Sequence, residues 1–223
     1  MIKRDIDIQS RIRVRYARLT AAADLSRAEQ AAEIRRRLTE GGLPFFRNGQ
    51  GPKILSGPVL PQGYESVCEF FDLYFNGFVS EKRVLESLRV FDDEVLKILS
   101  AERIPVFFPS VEAAAEAAEY SLRGDFPAAF SQAGIDAFLS LKTYPFRRVR
   151  DSGKISEFDA RERVLSASYS AGELRMRLAV VQQGANIKPE EAASLLGSGE
   201  MIFGRKIREN LFWRTEHGEL RPF

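Results

Sequence analysis

The chain has 223 residues, 44% hydrophobic and 29% charged, the balance of one large or two small folded domains rather than of a disordered chain. One cysteine, Cys68, and one histidine, His217, exclude an internal disulfide and a three-thiolate iron–sulfur cluster. They leave little material for a His/Cys metal site or a histidine-based nucleophilic mechanism, so no cofactor is expected.

The formal charge of +2 conceals an asymmetry. Residues 1–37 carry ten Lys/Arg against five Asp/Glu, and residues 65–119 carry five against twelve. A basic face and an acidic face follow from that pattern.

The opening MIKRDIDIQS lacks an apolar h-region, so it does not read as a signal peptide. No run of ~18 apolar residues is present to span a membrane. A cytoplasmic location is expected. Ser10–Arg18 alternates Arg with Ile, Val and Tyr at period two, a half-buried strand with Arg11, Arg13 and Arg15 on one face. Asp24–Glu40 reads as a helix that Asp24 or Ser26 can N-cap, with Ser26–Glu29 fitting a capping box, ended by Gly41–Gly42. Lys53–Leu60 reads as a short edge strand containing Pro58. Cys68–Phe75 is a strong strand buried on both faces, and Glu69 and Asp72 fall on opposite sides of it. Glu81–Phe91 is a helix, and Val95–Arg103 is a strand that ends before Pro105.

The second half repeats that element order without repeating its residues. Ala113–Arg123 begins as a helix-prone, Ala-rich stretch and finishes as a strand. Phe126–Leu141 is helical, and Phe146–Arg150 is a short strand before a turn at Asp151–Gly153. Lys154–Tyr169 and Glu173–Val181 form a hairpin around Ser170–Gly172. Pro189–Leu196 is a helix with Pro in its first turn, and Arg205–Arg214 is the closing strand. His217 falls in a turn, and Trp213 is expected in the core or at a domain interface. The expected architecture is α+β: two ferredoxin-like split strand–helix–strand sandwich halves, each an antiparallel sheet with helices on one face, dividing into residues 1–109 and 110–223.

Gly42–Ser66, GLPFFRNGQGPKILSGPVLPQGYES, concentrates Gly and Pro. With RVRYARLTAAADLSRAEQAAEIRRRLTEGGLP before it and EFFDLYF after it, it resembles the radical SAM-linked (radical SAM-associated) protein family, whose function is unassigned. Gly57, Pro58, Leu60, Pro61, Gly63, Glu65, Ser66 and Asp72 fit the family pattern. Asp159 and Arg161 fit more loosely a later aspartate–x–arginine strand. The family's Ser-His-Leu-Asp helix start falls on Ser26, Arg27, Ala28 and Glu29, so its histidine is replaced. The resemblance implies a partner, since such proteins occur fused to or encoded beside a cobalamin-binding-type radical SAM enzyme, often near RNA-processing genes. It carries over no catalytic residue.

The candidate site residues are therefore for binding. A helix start facing a Gly-rich loop is an anion-binding geometry. Ser26 and Arg27 at the helix start, with Arg47, Asn48 and Lys53 on the loop, are the residues to hold a phosphate. Arg11, Arg13 and Arg15 form a face for RNA, with Arg147, Arg148 and Arg150 as a second basic cluster. The aromatics Phe45, Phe46, Phe70, Phe71, Tyr74, Phe75, Phe107 and Phe108 read as core and hinge filler, with an exposed subset suited to base stacking. The first functional expectation is a non-catalytic accessory or substrate-binding partner of a radical SAM enzyme. The alternative is an RNA-binding module linked to RNA processing or modification. Composition gives least support to an independent enzyme.

Overall fold

The computed structural model describes residues 8–48, 51–90, 92–149, 152–197 and 199–223. Two compact units make up the chain, Met1–Ala114 and Ala115–Phe223. Both mix helices with antiparallel strands.

The first unit contains β1 (Ser10–Arg18), α1 (Arg27–Glu40), β2 (Arg47–Asn48), β3 (Gly51–Pro52), β4 (Ile54–Ser56), β5 (Glu65–Phe75), α2 (Glu81–Arg89), β6 (Leu96–Ile104) and α3 (Val111–Ala114). Its sheet runs β4–β5–β1–β6, with every neighbour antiparallel. β2 and β3 form a separate small hairpin. One face of the sheet presents Ile12, Val14, Phe71, Leu73, Leu96 and Ile98 to Ile34 and Leu38 of α1 and to Val84 and Leu88 of α2, and all are buried in one core. α1 is capped as its sequence requires: Ser26 accepts the Glu29 amide, and Glu29 accepts the Ser26 amide at 2.8 Å. The helix starts at Arg27 rather than Asp24, because the extended Ser26 is its N-cap; Thr20–Ala22 form a separate 3-10 turn before it. Gly42 follows the helix at φ +63°, the left-handed position that glycine adopts without strain.

The second unit contains β7 (Ala115–Asp125), α4 (Gln132–Leu139), β8 (Pro145–Val149), β9 (Ile155–Asp159), α5 (Ala160–Arg163), β10 (Val164–Ser170), β11 (Glu173–Ala179), α6 (Pro189–Leu196), β12 (Ile202–Arg214) and β13 (Leu220–Pro222). Its strands run β10–β11–β7–β12, again antiparallel, with β13 paired to the end of β12. Leaving aside the inserted hairpins, each unit orders its strands second–third–first–fourth. Each also inserts its hairpin, β2–β3 or β8–β9, after the first helix.

Three expectations change. Ala115–Asp125 is strand throughout, preceded by the single turn α3. The central strand places Ala115, Ala117 and Ala118 where no side chain larger than a methyl is needed, and tertiary packing overrides the helix propensity of alanine. Phe126–Ser131 lies outside α4, which Ser131 caps. The expected long strand from Lys154 to Tyr169 is broken by α5, capped by Asp159.

Candidate interaction site on the first unit

The strand β1 sends Arg11, Arg13 and Arg15 to the face opposite the helices. The register sets Arg11 against Tyr74, Arg13 against Asp72 and Arg15 against Phe70. A carboxylate buried in a strand as apolar as β5 is costly unless cations and hydrogen bonds compensate it. Asp72 is 0% exposed and Arg11 2%. Arg11 Nη2 donates to Asp72 Oδ2 at 2.5 Å, while Arg13 donates from Nε to Oδ1 at 2.8 Å and from Nη2 to Oδ2 at 3.2 Å. Both carboxylate oxygens are thus engaged, in the forked geometry that guanidinium supplies and ammonium does not.

The same two arginines reach the loop after β6. Arg11 Nη1 donates to the carbonyl of Val106 at 3.2 Å and to that of Phe108. The Pro109 carbonyl accepts from Arg11 Nη2 at 3.3 Å and from Arg13 Nη2 at 3.1 Å. The loop is bounded by Pro105 and Pro109, each with a fixed φ. It is held by its backbone, and its side chains point outward: Phe107 is 87% exposed and Phe108 51%, with ring centroids 6.1 Å apart. Phe78, 77% exposed, lies at the same end of the sheet under the Arg103 guanidinium, 4.1 Å from its ring. Isolated exposed apolar residues are ordinary, but here three phenylalanines are exposed at one end of a sheet.

The Arg11–Arg13 face is therefore not the solvated basic face expected for RNA. Phe70 and Tyr74 on that face are buried as well, so they offer no open stacking platform. Asp72 within VCEFFDLYF is the sequence signal that could have revealed this: an acid on the arginine-facing side of a doubly buried strand requires a cation opposite. Arg15 differs, being half-buried and donating to the Val67 carbonyl at 3.1 Å. Arg18, not singled out from sequence, is buried and grips the carbonyls of Ala22, Ala23 and Leu25.

The expected phosphate site is not assembled. Ser26 and Arg27 begin α1 at the Glu65 end of β5, where Gly63 donates to the Ala23 carbonyl and Thr20 to Glu65. Arg47, Asn48 and Lys53 lie at the other end, since the Phe46 amide bonds the Tyr74 carbonyl and the Lys53 amide bonds the Phe46 carbonyl. Tyr74 lies nine residue steps along the strand from Glu65, roughly 30 Å, too far for one anion to bridge. The donors at the start of α1 already have an anion: the Glu29 carboxylate, held below the usual carboxylate range by its hydrogen bonds with Ser26. Lys53 instead lies over the rings of Tyr74, at 4.9 Å, and Phe46, at 5.6 Å. The structure thus gathers Arg11, Arg13 and Lys53 around Asp72 and Tyr74, and leaves Arg15, Ser26 and Arg27 elsewhere.

Residues 11–189 match the model of a family described as "Uncharacterized protein conserved in bacteria (DUF2344)". The chain belongs to that family. No curated protein matches it. The description gives DUF2344 no activity, so the site must be read from its own geometry.

The DUF2344 match includes the Arg11–Asp72 cluster, the Gly/Pro stretch and the aspartate–x–arginine pair. Gly63, in the Gly/Pro stretch, takes φ +78°, a left-handed turn position. Ser56, Gly57 and Leu60 line a cleft of about 50 Å³ with Tyr16, Gln30 and Glu69, room for a few waters and far below the size of a ligand pocket. Asp159 accepts the amides of Tyr144 and Arg161, both at 2.8 Å. Arg161 donates to the carbonyls of Leu139 and Val164. This pair staples the β8–β9 hairpin to its neighbours and is structural. Arg147 faces Glu157, Arg148 is paired with Glu191, and Arg150 lies outside the described residues. His217 is exposed in the turn between β12 and β13, and Trp213 is 38% exposed rather than core. Among the described residues, no three His, Cys, Asp or Glu side chains are grouped to hold a metal ion.

Proposed function

We propose that this DUF2344 chain is a non-catalytic accessory or substrate-binding partner of a radical SAM enzyme, docking through the Phe107–Phe108 loop. One observation carries this reading: the buried Arg11 and the partly buried Arg13 donate to Asp72 and to three loop carbonyls, and so hold two exposed phenylalanines in place. Preorganised aromatic side chains are characteristic anchors of protein interfaces, because little ordering entropy is lost on docking. The resemblance of the Gly/Pro stretch names the partner class. The test is affinity purification from a bacterium that encodes both proteins. Recovery of a radical SAM enzyme with the parent chain, and its loss with Phe107→Ser/Phe108→Ser, supports the proposal. Equal recovery with both chains opposes it.

RNA binding is the second reading, favoured by Arg47 and Lys53 beside Phe46 at one end of β5. It calls for affinity that falls steeply with salt and a weaker salt slope in Arg47→Glu/Lys53→Glu. We further read both units as ferredoxin-like domains divided near residues 109/110, which the shared strand order supports, and place the protein in the cytoplasm. No helix is long and apolar enough to cross a membrane among the described residues.

A further inference from the structure

One face of the second unit's sheet is covered by helices. Leu122 and Leu174 are buried there, and Lys206, opposite Leu122, pairs with Glu190 of α6. Residues opposite one another across a ladder share a face, and the next residue along each strand takes the other. The face away from the helices therefore carries Arg123 of β7 between Glu173 of β11 and Arg205 of β12. One row along, Arg175 of β11 lies between Ser121 of β7 and Ser168 of β10.

Glu173 organises this face. Its Oε1 accepts from the Ser121 hydroxyl at 2.6 Å and from Arg175 Nε at 2.7 Å. Its Oε2 accepts from Arg123 Nη2 at 2.8 Å and Nε at 3.1 Å. The Ser121 hydroxyl, then the two arginines, hold its carboxyl below the usual carboxylate range. Two guanidinia tied to one carboxylate lie within roughly 8 Å of each other. One carboxylate offsets one of them, and Arg205 opposite Arg123 adds a third cation. Asp125, the next acid along β7, is four residues, roughly 13 Å, from the Ser121 that faces Arg175. Arg177 is already paired with Glu119 at 3.1 Å.

We propose that this face binds a phosphomonoester group between Arg175 and Arg123, with the Ser168 hydroxyl at its rim. Arg175 gives only its Nε to Glu173, so both its Nη groups are open among the described residues, as is Arg123 Nη1. Ser168 is exposed, and its hydroxyl has no partner among the described residues. The Nη edge of a guanidinium matches two oxygens of a phosphate. A second guanidinium and a hydroxyl beside it suit a head group with three oxygens and a charge of about −1.5 to −2, which offsets the local excess. Glu173 is the positioning residue that fixes both cations. A nucleic-acid backbone fits less well, because β7, β10 and β11 bring no aromatic side chain to this face to stack a base.

Titration of the full chain with inorganic phosphate at constant ionic strength, followed by the amide resonances of Ser168 and Arg175, should give saturable shifts. The Arg175 side chain is 60% exposed, so Arg175→Gln should fold like the parent. It should raise the phosphate Kd about 10-fold or more, the loss expected for a charge-assisted hydrogen bond. Arg147, 61% exposed in the same unit, is the control for surface charge, and Arg147→Gln should leave the Kd unchanged. Free O-phosphoserine and a short phosphoserine peptide then distinguish the source. Equal Kd values mark a small phosphorylated molecule, a tighter peptide marks a phosphorylated protein, and either result supports the site. Shifts that do not saturate in the parent, or equal losses in the two variants, overturn the proposal. So does saturation by a single-stranded oligonucleotide without a terminal phosphate when inorganic phosphate gives none.

Discussion

Arg11 and Asp72 form an ion pair that is almost wholly removed from solvent, with side-chain exposures of 2% and 1%. Neither residue is available to a substrate, and together with Arg13 they connect the centre of the sheet to a loop more than 90 residues away in sequence. Removing the carboxylate leaves two guanidinia uncompensated. Asp72→Ala should lower unfolding free energy by about 3–5 kcal/mol. Urea denaturation checks this, and a loss under about 1 kcal/mol would contradict the burial argument.

Arg11→Met removes the grip on Val106 and Phe108 while leaving Arg13 on Asp72. The loop should loosen, and the Phe107–Phe108 peptide bond should become a site of rapid chymotrypsin cleavage. The parent loop, held at its carbonyls, should be cut slowly there. Equal rates would show that the arginine does not hold the loop.

Ser26→Ala should cost about 1 kcal/mol, the usual value of an N-cap hydroxyl. Inorganic phosphate should not change that cost, because Glu29 already occupies the helix start. A phosphate-dependent rise in melting temperature that vanishes in Ser26→Ala would restore the anion site expected from sequence.

Much of the local structure was legible because its causes are local. The period-two alternation located β1, the S-x-x-E spacing located the α1 cap, and Ser170–Gly172 located the β10–β11 turn. The proposed docking surface was not, because its causes are tertiary. The arginine face looked like a solvated footprint until Asp72 came opposite it. Phe107 and Phe108 looked like filler because composition does not reveal which way a loop points. The phosphate site failed on length: a helix of 14 residues, ~20 Å long, separates its two halves.

The acid limb of unfolding should report Glu33. Hydrogen bonds from Arg36 and then Arg37 lower its pKa from 4.5 to about 2. A folded value below the unfolded one means the stabilisation is complete above about pH 4.5 and is lost as pH falls towards 2. Glu33→Gln should flatten stability against pH within that window and leave the neutral-pH slope unchanged, as measured by urea midpoints at stepped pH.

The most direct test of the proposed partnership is the affinity of a purified radical SAM enzyme from the same bacterium for the parent chain and for Phe107→Ser/Phe108→Ser. Both phenylalanines are exposed, so the variant should unfold within about 0.5 kcal/mol of the parent. Its Kd should nevertheless rise by about 100-fold or more, as expected when two aromatic anchors are removed. A stable variant that binds with the parent Kd would contradict the account.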